Sequence, residues 1–171
     1  FDVVIATFWK TVFYLDYLKS SNYVYFVQSI ESRFSNESEL RMRALVDSTY
    51  ALGMPGITEA TWIRDYLKNK YSSNFFLVKN GINKEIYKPD GPCIKVRVSG
   101  RLRILVEGPL GVPFKNTGRT IRLCRKVGGV EIWWLTSTDI SWYPGVDKVF
   151  SRVPVEKTAE IYRSCDVIVK L

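Results

Sequence analysis

The stretch that decides the fold of this chain is RILVEGPLGVPFKNTGRTIRLCRKVGGVEIWWL, from Arg103 to Leu135. It begins with RILVE and ends with EIWWL, two largely apolar runs that predict strands. Between them, Gly108–Phe114 contains two glycines and two prolines and predicts a loop, whereas Thr117–Val127 predicts a helix that ends at a glycine pair. A strand, a loop, a helix and a second strand in this order are typical of a parallel βαβ unit.

The same alternation continues on both sides of this stretch. Short apolar runs predict further strands at Asp2–Thr7, Tyr23–Gln28, Gly53–Ile57, Phe75–Lys79, Asp147–Ser151 and Cys165–Leu171. Amphipathic stretches predict helices over Thr11–Lys19, Glu37–Tyr50, Glu59–Lys70 and Pro154–Ser164. We expect Leu40, Ala44 and Leu45 to face the core and Thr58 to cap the helix that follows it. Pro55 predicts an edge position for its strand.

A cluster of chain breakers, Lys88–Pro92, predicts a division of the chain. We expect residues 1–88 to form one domain, residues 89–100 a linker and residues 101–171 a second domain. The predicted fold class is α/β, with two Rossmann-like half-domains that contain parallel sheets and are joined by the linker. The chain begins inside a predicted strand and stops at the end of another, so we expect both half-domains to be truncated parts of a longer protein.

Composition excludes several kinds of site. Histidine is absent, which excludes Ser-His-Asp and Cys-His catalytic sets, and the three cysteines have no metal or redox spacing, so no metal is expected. The net charge is +8, and +6 of it falls in residues 89–171. The second half could therefore attract a nucleotide, a nucleic acid or an acidic membrane surface, or it could be a solvated basic surface without a dedicated ligand. The apolar runs are too short to span a bilayer and no signal peptide is recognisable, which favours a cytoplasmic protein.

Three segments are candidate sites on their residues alone. The loop from Gly108 to Lys115 precedes a predicted helix, where glycines, free N–H groups and a lysine could hold a phosphate, although it matches neither a Walker A loop nor G-x-G-x-x-G. Gln28, Ser29 and Glu31 follow a predicted strand, and ligands of open α/β sheets bind beyond the carboxyl ends of strands. Asn80-Gly81 predicts a turn after the fourth strand.

In order and spacing these pieces resemble the retaining glycosyltransferases of the GT-B type in family 4, and more weakly their rhamnosyltransferase-like branch. The resemblance rests on Asn80-Gly81-Ile82-Asn83, on the strand–loop–helix around Lys115, and on a segment that runs from Val153-Pro154 through Tyr162 to Asp166-Val167. Two positions depart from the family pattern. Pro109 replaces an arginine that grips the donor diphosphate and Asn116 replaces a glycine, which leaves Arg119 or Arg122 to supply the missing charge.

The resemblance implies a nucleotide-diphosphate sugar as donor, bound by the second half, and a glycan or lipid-linked acceptor bound by the first half. It implies that neither a cofactor nor a metal is needed. It also implies a peripheral contact with the inner face of a membrane and a role in cell-surface polysaccharide synthesis. Lys115 is the residue expected to stabilise the leaving diphosphate during catalysis. The implied donor site comprises Gly108, Lys115, Arg119, Thr136, Ser137, Arg152 and Val153. The implied acceptor side comprises Gln28, Ser29 and Glu31.

Two other functions remain open from the sequence. The basic, aromatic-rich composition is compatible with a nucleic-acid-binding module, although no RNP1 string, zinc spacing or basic helical stripe supports one, and no nucleic-acid partner is expected. The chain also stops at Leu171, before the glutamates that bind the donor sugar in the family. It is therefore also compatible with a catalytically inactive fragment that binds nucleotide only.

Overall fold

The computed structural model describes residues 1–97 and 100–171 and divides the chain into two compact units, Phe1–Gly81 and Ile82–Leu171. Val98 and Ser99, at the end of the predicted linker 89–100, lie outside the described residues. Each unit contains a four-stranded sheet in which every strand pair is parallel. The predicted α/β class with two parallel sheets is therefore confirmed.

The sheet of the first unit has its strands in sequential order, β1-β2-β3-β4. Its strands are β1 (Val4–Ala6), β2 (Tyr23–Val27), β3 (Gly56–Thr58) and β4 (Phe75–Leu77). Its helices are α1 (Trp9–Val12), α2 (Leu40–Tyr50) and α3 (Thr61–Tyr71). Crossovers of one hand in a sequential sheet place every helix on the same face, and all three helices bury residues in one core with Ala6, Tyr25, Val27 and Phe75.

The opposite face of this sheet is apolar and partly exposed. Register places Phe26 beside Ile57 and Ile57 beside Phe76, and it pairs Ile5 with Val24. Ile5 is 50% exposed and Phe76 is 69% exposed. Strands of parallel sheets are commonly apolar on both sides because both faces are usually covered. In this unit the near-continuous apolar strands contribute to the core from one side only.

Several predictions for the first unit were wrong in detail. Leu40, Ala44 and Leu45 are exposed, and α2 instead buries Val46, Thr49 and Tyr50, because the Tyr50 ring stacks on Tyr25 in the sheet at 6.0 Å. Thr58 does not cap α3 but ends β3 as a fully buried residue.

The strand that follows Pro55 is not at the edge of the sheet, because Pro55 precedes β3 and removes no hydrogen bond from its ladder.

The predicted helix Thr11–Lys19 is replaced by α1 and a 3₁₀ turn at Leu15–Tyr17. Hydrogen bonds between Thr11 and Phe8 start α1 two residues early.

The sheet of the second unit has the order β7-β6-β5-β8. Its strands are β5 (Arg103–Glu107), β6 (Glu131–Thr136), β7 (Lys148–Ser151) and β8 (Val167–Val169). Its helices are α4 (Thr117–Lys126) and α5 (Val155–Ser164). The predicted strands, the helix start at Thr117 and the glycine pair that ends α4, with φ of +70° and +62°, are confirmed.

Helices cover both faces of the second sheet. Residues of α4 pack with Ile104, Val106, Ile132 and Trp134, whereas Ile161 of α5 packs with Leu105, Trp133 and Leu135. The chain leaves β5 toward β6 and later returns to pair β8 with the other edge of β5. This change of direction places a topological switch point between β5 and β8, where open α/β sheets bind ligands.

Residues 82–97 belong to the second unit, and several of them contact α5. The Tyr87 hydroxyl lies 2.6 Å from the Thr158 hydroxyl, and the Arg163 guanidinium donates to the carbonyls of Ile86, Lys88 and Pro92. The predicted roles of residues 1–88 as acceptor domain and 101–171 as donor domain stay predictions.

Among the helices of the described residues, none is both long enough and apolar enough to cross a membrane.

Candidate functional site

The loop that leaves β5 is fixed at its first residue by two hydrogen bonds. The Gly108 N–H donates to the carbonyl of Leu135, and the Trp134 indole N–H donates to the Gly108 carbonyl at 2.9 Å. Gly108 has a φ of +139°, and a Cβ at this position would lie 2.8 Å from Thr117 Oγ1. Only glycine tolerates both this positive φ and the lack of space for a Cβ, so the chain can turn tightly over the start of α4.

Further hydrogen bonds fasten the loop to its surroundings. The Thr117 hydroxyl donates to the Pro109 carbonyl, and the Leu110 N–H donates to the Thr138 hydroxyl at 2.9 Å. Asn116 has a φ of +49° and redirects the chain from the 3₁₀ turn Pro113–Lys115 into α4. The first N–H groups of a helix have no intrahelical partner, and here they follow a loop held at the carboxyl end of β5.

Lys115 lies beside Gly108, whereas Arg119 lies beside the part of the same loop from Pro109 to Pro113. A Cβ on Gly108 would be 3.8 Å from Lys115 Cβ, and the Lys115 ammonium is 5.3 Å from the centre of the Phe114 ring. Arg119 lines a notch of about 350 Å³ together with Arg122 and the loop from Pro109 to Pro113. Lys115 does not line this notch.

Thr136, Ser137 and Arg152 form one cluster at the carboxyl ends of β6 and β7. Arg152 donates its backbone N–H to the Thr136 carbonyl and its guanidinium to the Ser137 carbonyl and the Asp139 carboxylate. Arg152 has a φ of +51°, which is energetically unfavourable for a residue with a side chain, and these hydrogen bonds hold its backbone in that conformation. Val153 follows and packs against the α5 side of the sheet. Thr138, which binds Leu110, joins this cluster to the Gly108 loop.

A second group of residues at the switch point could not be predicted from the sequence. The Tyr162 hydroxyl donates to Glu107 Oε2 at 3.0 Å, and the Lys170 ammonium lies 3.7 Å from Glu107 Oε1. Burial, together with the negative charge of Glu107, raises the pKa of Tyr162 to about 12. These residues are distant in sequence, and only the pairing of β8 with β5 identifies them as neighbours.

In the first unit, Gln28, Ser29 and Glu31 follow β2 and lie near the end of β1. Gln28 donates to the Thr7 carbonyl at 3.5 Å, Ser29 is half-buried, and Glu31 Oε2 accepts the Trp9 N–H at 2.9 Å. Burial raises the pKa of Glu31 above its usual value, against the hydrogen bond from Trp9. Glu31 therefore fastens the start of α1 to the end of β2.

Asn80 and Glu59 form a contact that the sequence did not predict. The Asn80 amide donates to Glu59 Oε2, so the residues that follow β3 and β4 are joined at the carboxyl edge of the first sheet. Gly81 is exposed and is not among the residues with positive φ. The hydrogen-bonded turn instead begins at Asn83, whose carbonyl accepts the Tyr87 N–H and whose side chain accepts the Glu85 N–H.

No protein-family model matches this chain, and no curated protein matches it either.

In the described parts of the chain, no group of three or more cysteine and acidic side chains is arranged to hold a metal ion. The three cysteines are free thiols, with Cys124 and Cys165 buried and Cys93 exposed.

Proposed function

We propose that this chain is part of a retaining GT-B glycosyltransferase that moves a sugar from a nucleotide-diphosphate sugar to a glycan or lipid-linked acceptor. The observation that carries the proposal is the placement of the Gly108–Lys115 loop. This loop leaves the carboxyl end of β5, beside the switch point between β5 and β8, and leads into α4. Ligands with phosphate groups commonly bind at such positions, where backbone N–H groups and a lysine meet them.

The neighbouring strands support the same location for the donor. Thr136 ends β6, Ser137 follows it, and Arg152 follows β7, so the three residues lie at the same edge of the sheet as Gly108. Hydroxyl groups and main-chain groups here can contact the ribose and base of a nucleotide. In this proposal the carboxylate of Glu107, held by Tyr162 and Lys170, is available to accept hydrogen bonds from sugar hydroxyls.

Retention of configuration in this proposal needs no protein nucleophile. The leaving diphosphate takes the proton of the acceptor hydroxyl on the face from which it departs, while that oxygen forms the new bond to the sugar. The protein then contributes position and charge stabilisation. Lys115 is the proposed source of positive charge, and Gln28, Ser29 and Glu31 belong to the unit that binds the acceptor.

A panel of nucleotides tests this proposal directly. The 171-residue chain is titrated by calorimetry with dTDP, UDP, GDP and ADP at two salt concentrations. We expect saturable binding of one nucleotide and at least about tenfold weaker binding by Lys115→Ala, because a charged hydrogen bond contributes about 1.5–3 kcal/mol. Lys126→Ala is the matched control, since Lys126 is exposed at the far end of α4.

Two outcomes would contradict the proposal. One is the absence of binding by every nucleotide diphosphate. The other is steeply salt-dependent binding of single-stranded polynucleotides without regard to sequence, which would favour a nucleic-acid-binding module instead. Nucleotide binding without sugar transfer to any acceptor would favour a fragment that binds nucleotide only.

A further inference from the structure

A cavity lies at the amino ends of β2 and β3 in the first unit. Its walls come from three segments: the end of α1 with the 3₁₀ turn that follows it, the residues that lead into β2, and the turn that leads into β3. The volume of the cavity is about 740 Å³. Sites for small organic ligands span roughly 300–1,000 Å³, so the cavity has the size of such a site.

The cavity is remote from the residues proposed to take part in sugar transfer. It meets β2 at Tyr23, the first residue of the strand, whereas Gln28 and Glu31 follow Val27, the last residue of the strand. Five residues of extended chain span roughly 16 Å, so the cavity and these residues lie at opposite ends of the sheet. Substrates of open α/β sheets bind beyond the carboxyl ends of strands. A ligand in this cavity is therefore a different molecule from the proposed acceptor.

Most of the side chains that line the cavity are apolar. Val12 and Leu15 belong to the buried core of the unit, and Met54 packs against the same core. Phe13 and Leu52 also line the cavity, but both remain exposed to solvent. A ligand with a hydrocarbon body would remove this apolar surface from water, and the flexible methionine side chain would let the wall adapt to its shape.

One carboxylate determines the charge that a ligand of this cavity must carry. Among the described residues that line the cavity, Asp16 alone is charged at neutral pH. In the described parts of the chain, no lysine or arginine forms an ion pair with Asp16. A neutral ligand that covered this carboxylate would bury it without a counter-charge, which is unfavourable. The rings of Phe13 and Tyr23 belong to the same lining, and the faces of aromatic rings attract cations.

We propose that this cavity binds a small organic ammonium ion with an apolar body. The body lies against Val12, Leu15 and Leu52, and the ammonium group donates hydrogen bonds to the carboxylate of Asp16. An anionic ligand would meet the repulsion of Asp16 and, among the described lining residues, no basic side chain. This site does not depend on the proposed sugar transfer, because it lies at the other end of the sheet.

Three probes of similar shape and different charge test this proposal. Phenylbutylamine, phenylbutanol and phenylbutyrate are titrated into the 171-residue chain, and two-dimensional NMR follows the backbone amides. The variants are Asp16→Asn and Leu52→Ala, and both replaced side chains are exposed. Asp90→Asn is the matched control, because it removes an exposed carboxylate from the second unit. Circular dichroism verifies that each variant is folded.

We expect the amine to bind more tightly than the alcohol or the carboxylate and to shift the amide signals of residues 21–24 and 52–54. Asp16→Asn should weaken amine binding at least about fivefold and leave alcohol binding unchanged, whereas Leu52→Ala should weaken both. Equal amine affinity in Asp16→Asn and Asp90→Asn would overturn the proposal. Absence of saturable amine binding, or shifts confined to other residues, would also overturn it.

Discussion

The ring of Phe75 lies directly over Gly56, its partner on the neighbouring strand of the first sheet. A Cβ on Gly56 would overlap this ring. We expect Gly56→Ala to destabilise the first unit by about 1–3 kcal/mol, because the ring must leave its position or the strands must separate. Hydrogen exchange of peptides from β3 and β4 measures the effect. Gly81→Ala is the control, since a Cβ there meets open space, and equal protection in both variants would contradict the expectation.

Phe75 and Phe76 are neighbours in sequence but lie on opposite faces of the sheet. Phe75 is 7% exposed and Phe76 is 69% exposed. We expect Phe75→Ala to cost about 3–5 kcal/mol of unfolding free energy, as buried aromatic truncations do. Phe76→Thr should cost far less and raise the concentration at which the chain precipitates, because it removes apolar surface from an uncovered face. Denaturant unfolding and a solubility titration test both expectations, and similar unfolding free energies for the two variants would contradict this assignment of faces.

A buried ion pair holds the start of β5. Arg103 is 3% exposed, donates to Glu131 at 3.0 Å and also donates to the carbonyls of Lys95 and Ser164. We expect Arg103→Met to destabilise the second unit by about 3–5 kcal/mol, because Glu131 keeps its charge without its buried partner.

Lys95→Met is the comparison for this prediction. It removes an exposed partner of the same carboxylate and should cost less than about 1 kcal/mol. Urea unfolding followed through the buried Trp133 and Trp134 measures the difference between the two variants. Coincident unfolding curves would show that the buried pair contributes nothing.

The raised pKa of Glu31 predicts how the stability of the first unit changes with pH. Burial raises its pKa above 4.5 in the folded state, so the folded state binds the proton more tightly than the unfolded chain. The resulting stabilisation is complete below about pH 4.5 and is lost as the pH rises through the folded pKa. Glu31→Gln keeps an acceptor for the Trp9 N–H and does not ionise. We therefore expect the stability of the first unit to fall less steeply with pH in this variant.

Hydrogen exchange at several pH values from about 4 to 7 tests the sign of this effect, after correction for the intrinsic exchange rate. Glu37→Gln serves as control, because Glu37 is exposed. A steeper loss of stability with pH in Glu31→Gln than in the wild-type chain would contradict the prediction.

The second sheet could be predicted closely because its sequence signals agree with one another. The strand Arg103–Glu107 has the predicted limits, and the glycine pair ends α4 where expected. In α2 the signals conflicted. The prediction placed Leu40, Ala44 and Leu45 toward the core, but the Tyr50 ring stacks on Tyr25, and this tertiary contact determines which face is buried. Periodicity describes one helix at a time and contains no information about its partner.

Only part of the candidate site could be predicted from the sequence. Gly108 and Lys115 could be found because a glycine loop between a strand and a helix is a local pattern. Glu107 and Lys170 could not be found together, because their proximity depends on which edge of β5 receives β8. Arg119 and Arg122 are exposed on α4 and line one notch with the loop from Pro109 to Pro113, and the donor-binding role expected for Arg119 stays a prediction.

The two strand orders also differ in what they require during synthesis on the ribosome. In the first sheet each strand pairs with the next one along the chain, so the sheet can be complete once Leu77 has left the exit tunnel. In the second sheet, Ile104 in the central strand must wait for Val167. Until then one edge of β5 is open, which exposes the chain to pairing with other nascent chains. This edge of β5 therefore stays unpaired for as long as residues 108–166 are being made.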